Sequence, residues 1–151
     1  MHEFPPPVPE AAPRHVVLVV DDDLMVACLA ARMLENHGLR AHVAECAEGA
    51  LRLLEREHSD LLLTDLQMPG HSGVWLANRV TKLHPHMAIL TMSSAFRFDP
   101  SLRVGVWPQL AKPFDRSKLL HEVDAALERA PKVASSPRRE RRVRTSSGSD
   151  R

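Results

Sequence analysis

Apolar residues in this chain fall into short unbroken runs, separated by longer stretches with helical spacing. Val16–Val20 is a continuous aliphatic run, the pattern of a strand buried on both faces. Asp21–Asp23 ends it, and Leu24–His37 predicts a helix with Asp23 as N-cap and Gly38 as the stop. A short strand follows at Ala41–Ala44, then a second helix at Ala47–Glu57 with Ala50, Leu51 and Leu54 on one face. Leu61–Thr64 reads as a third strand, followed by Asp65. Ser72–Leu83 predicts a third helix that stops before Pro85, and Ala88–Met92 a fourth strand. Gln109–Ala111 is a short fifth strand, and Ser117–Ala130 a final helix with Leu119, Leu120, Val123, Ala126 and Leu127 as its buried stripe.

Strands alternating with helices define an α/β class: a doubly wound, five-stranded parallel sheet with helices on both faces. Ligands of such sheets bind beyond the carboxyl ends of the strands. Asp21 and Asp22 follow the first strand, Asp65 the third, Ser93 the fourth and Lys112 the fifth, so all five are expected at one edge. Three carboxylates there repel one another, and left unpaired at least one would take up a proton. A hard divalent cation such as Mg²⁺ removes that conflict. Together with Lys112 it would neutralise charge on a phosphoryl group while a carboxylate attacks in line. Taken singly these signals are weak, since acidic residues after a strand are as often helix caps. The combination, with each residue just past its own strand, points to phosphoryl transfer.

Length and composition suit one domain with ragged ends: 151 residues, 44% of them hydrophobic. Residues 1–14 contain Pro5, Pro6, Pro7, Pro9 and Pro13 and predict a disordered lead-in. Residues 131–151 are rich in Ser, Pro and Arg and predict a disordered tail, leaving 15–130 as the folded domain. Charge divides the same way: 13 Lys/Arg against 17 Asp/Glu up to residue 130, then 7 against 2 in the tail. The basic run Arg138–Arg144 suits nucleic-acid phosphates or an acidic partner. No base-reading side chains sit on a folded element, so sequence-specific DNA binding is not expected.

Two cysteines, Cys28 and Cys46, make no disulfide framework and imply free thiols in a reducing compartment. No apolar signal core and no run near the ~20 residues of a membrane span are present, which places the chain in the cytoplasm, away from membranes. The nine histidines show no zinc spacing. His84 and His86, flanking Pro85, read as a solvated turn, and His71 as a solvent-facing loop residue. Met25, Met33 and Met92 read as core packing.

Three segments carry a family resemblance. VVLVVDDDLMVACLAARML (Val16–Leu34) looks like the opening of a response-regulator receiver domain. LLLTDLQMPGHSG (Leu61–Gly73) resembles its phosphorylation loop, with Asp65, Met68, Pro69 and Gly73 at the family spacing, and AKPF (Ala111–Phe114) matches its Lys-Pro-Phe signature. The resemblance covers about residues 15–130. It implies a CheY-like, flavodoxin-like receiver fold in two-component signalling, here apparently stand-alone. Asp65 would be the phosphorylation site. Asp22 would ligate Mg²⁺ directly, Asp21 mainly through metal-bound water, and the Gln67 backbone carbonyl would add a ligand. Ser93 would be the switch hydroxyl, and Lys112 would pair with a phosphoryl oxygen across a cis Lys112–Pro113 bond that aims it inward. The donor would be a sensor histidine kinase or a histidine phosphotransfer protein. With no room for a folded output domain, output would run through protein–protein contact with an unknown target, a homodimer or onward relay. The chain would not be an enzyme in its own right.

The stretch SSAFRFDPSLRVGVWPQLAK (Ser93–Lys112) departs from the family. Pro100, Gly105 and Pro108 predict a fourth helix that is shortened or irregular, starting near Pro100. Gln109 stands where the family has its switch aromatic; Trp107, two residues away, either replaces it or packs in the core. Pro108 weakens the fifth strand unless that strand is an edge. Two other functions compete. One is a phosphorylation-independent interaction module, a pseudo-receiver. The other is a haloacid-dehalogenase-type phosphatase, whose D-x-D Asp21–Asp23 supplies but whose cap and late Asp pair are missing.

Overall fold

A computed structural model describes residues 14–94 and 107–131. The Pro-rich lead-in, the fourth helix expected near Pro100 and the basic tail fall outside the described residues, apart from Arg14 and Pro131 at their margins. In chain order the elements are β1 (Val16–Val20), α1 (Leu24–Asn36), β2 (Arg40–Ala44), α2 (Ala47–Arg56), β3 (Leu61–Asp65), α3 (Gly73–Leu83), β4 (Ala88–Ser94), β5 (Gln109–Lys112) and α4 (Arg116–Arg129). The strands form one sheet in the order β2-β1-β3-β4-β5, and every neighbouring pair is parallel.

The unbroken apolar runs are explained by the two cores. Val17 and Val19 of β1 and Leu61 and Leu63 of β3 pack on the face covered by α1 and α4. Leu18, Val20 and Leu62 point the other way, against α2 and α3. Side chains alternate along a strand, so a strand covered on both faces needs apolar residues at every position. The helices show the expected stripes: Leu119, Val123 and Ala126 are buried in α4, and Ala47, Ala50 and Leu54 in α2.

Asp23 caps α1 as expected, and Ser72 and Asp115 add caps at α3 and α4 that the sequence pattern did not assign. Asp23 accepts from the Met25 and Val26 amides, Ser72 from Trp75 and Asp115 from Lys118. The Cys46 thiol takes that role for α2, with Gly49 N–H at 3.4 Å from Sγ, which cysteine's poor capping tendency had hidden. Both cysteines are free thiols. Gly38 ends α1 with φ +89°, where a side chain would strain the backbone.

Two expectations are corrected. Met25 is not a core residue: it is 83% exposed, because the buried stripe of α1 runs through Ala27, Ala30, Ala31 and Leu34 instead. Met92 is fully buried and Met33 packs against the core edge, as expected. The ladders also run further than the apolar runs. Asp65 pairs with Met92, Ser93 with Ala111 and Ser94 with Lys112, so Asp65, Ser93 and Lys112 belong to strands rather than to the loops after them. Backbone pairing, blind to side-chain polarity, carries the strands to the polar edge. Pro108 is accommodated because β5 is an edge strand, and its carbonyl accepts from both N–H and Oγ1 of Thr91 at 3.0 Å. Among the described residues no helix is long and apolar enough to cross a membrane.

Candidate functional site

The carboxyl ends of β1, β3 and β5 bring Asp21, Asp65 and Lys112 together. Lys112 Nζ donates to Asp21 Oδ2 at 2.5 Å and to Asp65 Oδ2 at 3.0 Å. The remaining oxygens are held by main chain: Asp21 Oδ1 accepts from Asp23 N–H at 2.9 Å, and Asp65 Oδ1 from Gln67 N–H at 3.1 Å. Asp21 and Asp65 are buried, whereas Asp22 faces solvent. The Lys112–Pro113 bond is cis, as the resemblance implied.

The electrostatics follow from burial and proximity. Burial raises the Asp65 pKa, and the neighbouring Asp21 charge pushes the same way; the Gln67 amide and Lys112 oppose them without overcoming them. Burial by itself would lower the Lys112 pKa, but its bonds to Asp21 and Asp65 hold it above the ordinary lysine value. A carboxyl with raised proton affinity beside a firmly charged ammonium is the kind of perturbed pair found at functional sites.

One carboxylate oxygen from each of Asp21, Asp22 and Asp65 lies within 4.8 Å of the other two, the one such cluster of His, Cys, Asp or Glu ligand atoms among the described residues. The donor set is all hard oxygen, with Asp22 on the open side, which fits a Mg²⁺ ion that keeps part of its water shell.

The loop after Asp65 is tightly seated. Gly73 N–H donates to Leu66 O and Leu66 N–H to Met92 O, both at 3.0 Å. A Cβ on Gly73 would lie 1.9 Å from Asp65 O, so only glycine lets α3 begin this close to the strand end. Met68 is buried, and Gly70 takes φ +79° at the turn. Ser93, half-buried, lies one residue beyond the Asp65–Met92 pair. Trp107 is half-buried and packs against the core on the α2 and α3 face.

Sequence reasoning missed two arrangements here. One ammonium bridges two carboxylates 91 and 47 residues away, which no local pattern signals. His71 is also more than a solvent-facing loop residue. Its ring stacks on Trp75 at 3.8 Å and lies 3.5 Å from Glu48, while Arg79 covers the Trp75 ring at 5.2 Å. The four-residue spacing of Trp75 and Arg79 on one helix was the only available hint.

The chain belongs to the response-regulator receiver domain family, whose profile matches residues 17–124. It is 32% identical over 120 residues to the DNA-binding transcriptional regulator NtrC of Escherichia coli K12, covering 78% of this chain and 25% of that protein. It is 31% identical over 121 residues to the transcriptional regulatory protein GlrR of the same organism, covering 78% of this chain and 27% of that protein. The chain therefore spans about a quarter of the length of these relatives. Among solved structures, a putative response regulator from Chloroflexus aurantiacus J-10-fl matches at TM-score 0.69 and 31% identity, covering 77% of this chain and 99% of that one. The receiver domain of NtrX from Brucella abortus matches at TM-score 0.69 and 26% identity, covering 76% and 99%.

Proposed function

We propose that this receiver domain accepts a phosphoryl group on Asp65, in a Mg²⁺-dependent reaction, from a sensor histidine kinase or a histidine phosphotransfer protein. The observation that carries the reading is Lys112 Nζ shared between Asp21 and Asp65, with Asp22 beside them. Asp21, Asp22 and Asp65, with the Gln67 carbonyl, would hold Mg²⁺. Bound there, the ion supplies positive charge against the phosphoryl oxygens.

Asp65 attacks the phosphorus of a phosphohistidine. A P–O bond forms, the P–N bond breaks, and its electron pair leaves with the imidazole nitrogen. Lys112 then turns from a carboxylate to a phosphoryl oxygen, and the Ser93 hydroxyl donates to another. Trp107, half-buried beside the edge strand, is the candidate aromatic to transmit the change. Output runs through contacts with a downstream protein or a second copy, and the free thiols Cys28 and Cys46 support a cytoplasmic setting.

The test is intact-mass analysis after incubation with acetyl phosphate and Mg²⁺, beside Asp65→Asn. A single phosphoryl adduct on the wild type alone is expected. No adduct on folded, Mg²⁺-binding protein, with partner binding unaltered in Asp65→Asn, would replace this reading with a phosphorylation-independent interaction module.

A further inference from the structure

The end of the sheet opposite Asp65 carries a second concentration of chemistry. A cavity of about 560 Å³ opens there, lined by His15, His58, Ser59, Asp60, His84 and His86 among others. These residues come from the start of β1, the α2–β3 loop and the α3–β4 loop. Asp60 is fixed by main chain on every side. Its N–H donates to Val16 O at 2.7 Å, its carbonyl accepts from Ala88 N–H at 2.9 Å, and its Oδ2 accepts from Val16 N–H at 2.8 Å. Two imidazoles flank the carboxylate, His58 Nε2 at 2.9 Å from Oδ1 and His15 Nδ1 at 3.6 Å from Oδ2. Ser59 is 6% exposed, and its Oγ has no hydrogen-bond partner among the described residues.

We infer that this pole binds a borderline divalent transition ion of the Zn²⁺ class, with Asp60 as anchor and His15, His58 and an imidazole of the His84/His86 pair as further ligands. The donor set decides the ion: imidazole with one carboxylate suits Zn²⁺, Ni²⁺ or Cu²⁺, whereas the all-carboxylate cluster at the other pole suits Mg²⁺. A Zn²⁺ ion with ligand bonds of about 2.0–2.1 Å in tetrahedral geometry sets its ligand atoms about 3.3 Å apart. His58 Nε2 lies 2.9 Å from Asp60 Oδ1 and His15 Nδ1 3.6 Å from Oδ2, so one imidazole stands within reach of each oxygen of the anchored carboxylate. The Val16 amide on Oδ2 is the outer hydrogen bond that orients a metal-ligating carboxylate. An anion is disfavoured, because the Asp60 charge sits among the histidines.

No three of these ligand atoms yet lie within 4.8 Å of one another, so the ion gathers its ligands by side-chain rotation. The side chains that must turn are unconstrained by packing: His15 is 62% and His58 76% exposed. Closure would tie the first strand to two loops that are adjacent in space and remote in sequence.

The experiment is a Zn²⁺ titration by calorimetry on the untagged full chain, in excess Mg²⁺ to occupy the Asp65 pole. Co²⁺ then serves as a probe for the visible bands of tetrahedral coordination. One equivalent is expected in wild type and equally in Asp65→Asn. Affinity should fall at least about tenfold in His58→Gln and in His15→Gln. Both substitutions are at exposed residues, and His37→Gln is the control that should change nothing. Zn²⁺ binding that survives His15→Gln/His58→Gln, disappears in Asp65→Asn, or is absent from the wild type would overturn the inference.

Discussion

Gly73→Ala tests whether the acceptor loop is seated by contact between two backbones. The added Cβ would lie 1.9 Å from Asp65 O, 2.7 Å from Asp65 C and 2.8 Å from Leu66 Cα. Reaching an ordinary contact of 3.4 Å from that oxygen requires the start of α3 and the end of β3 to part by about 1.5 Å. No side chain can yield instead, since all three obstacles are backbone. Parting them stretches the 3.0 Å bond from Gly73 N–H to Leu66 O and moves the Asp65 carbonyl. Overpacking costs about 1–3 kcal/mol where side chains adjust, so about 3 kcal/mol is expected here. For a domain of this size that lowers Tm by roughly 10–20 °C. Gly49→Ala is the matched control: its Cβ would meet only Cys46 Sγ at 3.4 Å and Ala44 Cβ at 3.9 Å. That change sits within α2 and should be neutral or stabilise by about 0.5 kcal/mol. Thermal and urea unfolding followed by circular dichroism read both. The reasoning fails if Gly73→Ala melts within 2–3 °C of wild type (~0.5 kcal/mol), or if Gly49→Ala loses as much.

Other outcomes follow from the same geometry. In metal-free neutral buffer Asp65→Asn should melt above wild type. The raised Asp65 pKa means the folded state favours the protonated form, so ionisation at higher pH costs stability that asparagine avoids. A variant melting lower would refute the crowded-carboxylate picture, and Mg²⁺ should stabilise wild type more than the variant. Asp60 titrates in the opposite sense. Burial raises its pKa, but the Val16 amide and His58 outweigh that and hold it below the ordinary value. Its contribution is therefore present above about pH 4 and lost as pH falls through the lowered folded value. Asp60→Asn should lower the urea midpoint at pH 7 and converge with wild type in acid; a constant difference at both pH values would count against this. Leu62→Ala, at a fully buried position facing α2 and α3, should cost about 2–5 kcal/mol, against under about 0.5 kcal/mol for exposed Leu29→Ala. Equal losses at the two sites would contradict the assigned core.

The alternation of elements was written in the chain itself. Val16–Val20 and Leu61–Leu63 are apolar at every position because both faces of their strands are covered, and that pattern survives any uncertainty about partners. The Asp23 and Gly38 boundaries were equally local, set by capping chemistry within one turn. From alternation came the parallel sheet, and from the parallel sheet the expectation that Asp21, Asp22, Asp65, Ser93 and Lys112 gather at one edge.

What local pattern leaves open is set by distance and direction in the folded state. Strand order puts β1 and β3 side by side and β5 at the edge, and so decides that one ammonium reaches both Asp21 and Asp65. Met25 carries a core-type side chain yet faces solvent, because rotation about the α1 axis, not residue type, selects the buried stripe. The ladder carried β3, β4 and β5 past their last apolar residues, since backbone hydrogen bonds do not depend on polarity. His71 meets Glu48 through folding, although the local pattern assigned it to a solvent-facing loop. Periodicity is a property of neighbours along the chain, whereas charge pairing and metal geometry depend on atoms that only the folded sheet brings within a few ångströms.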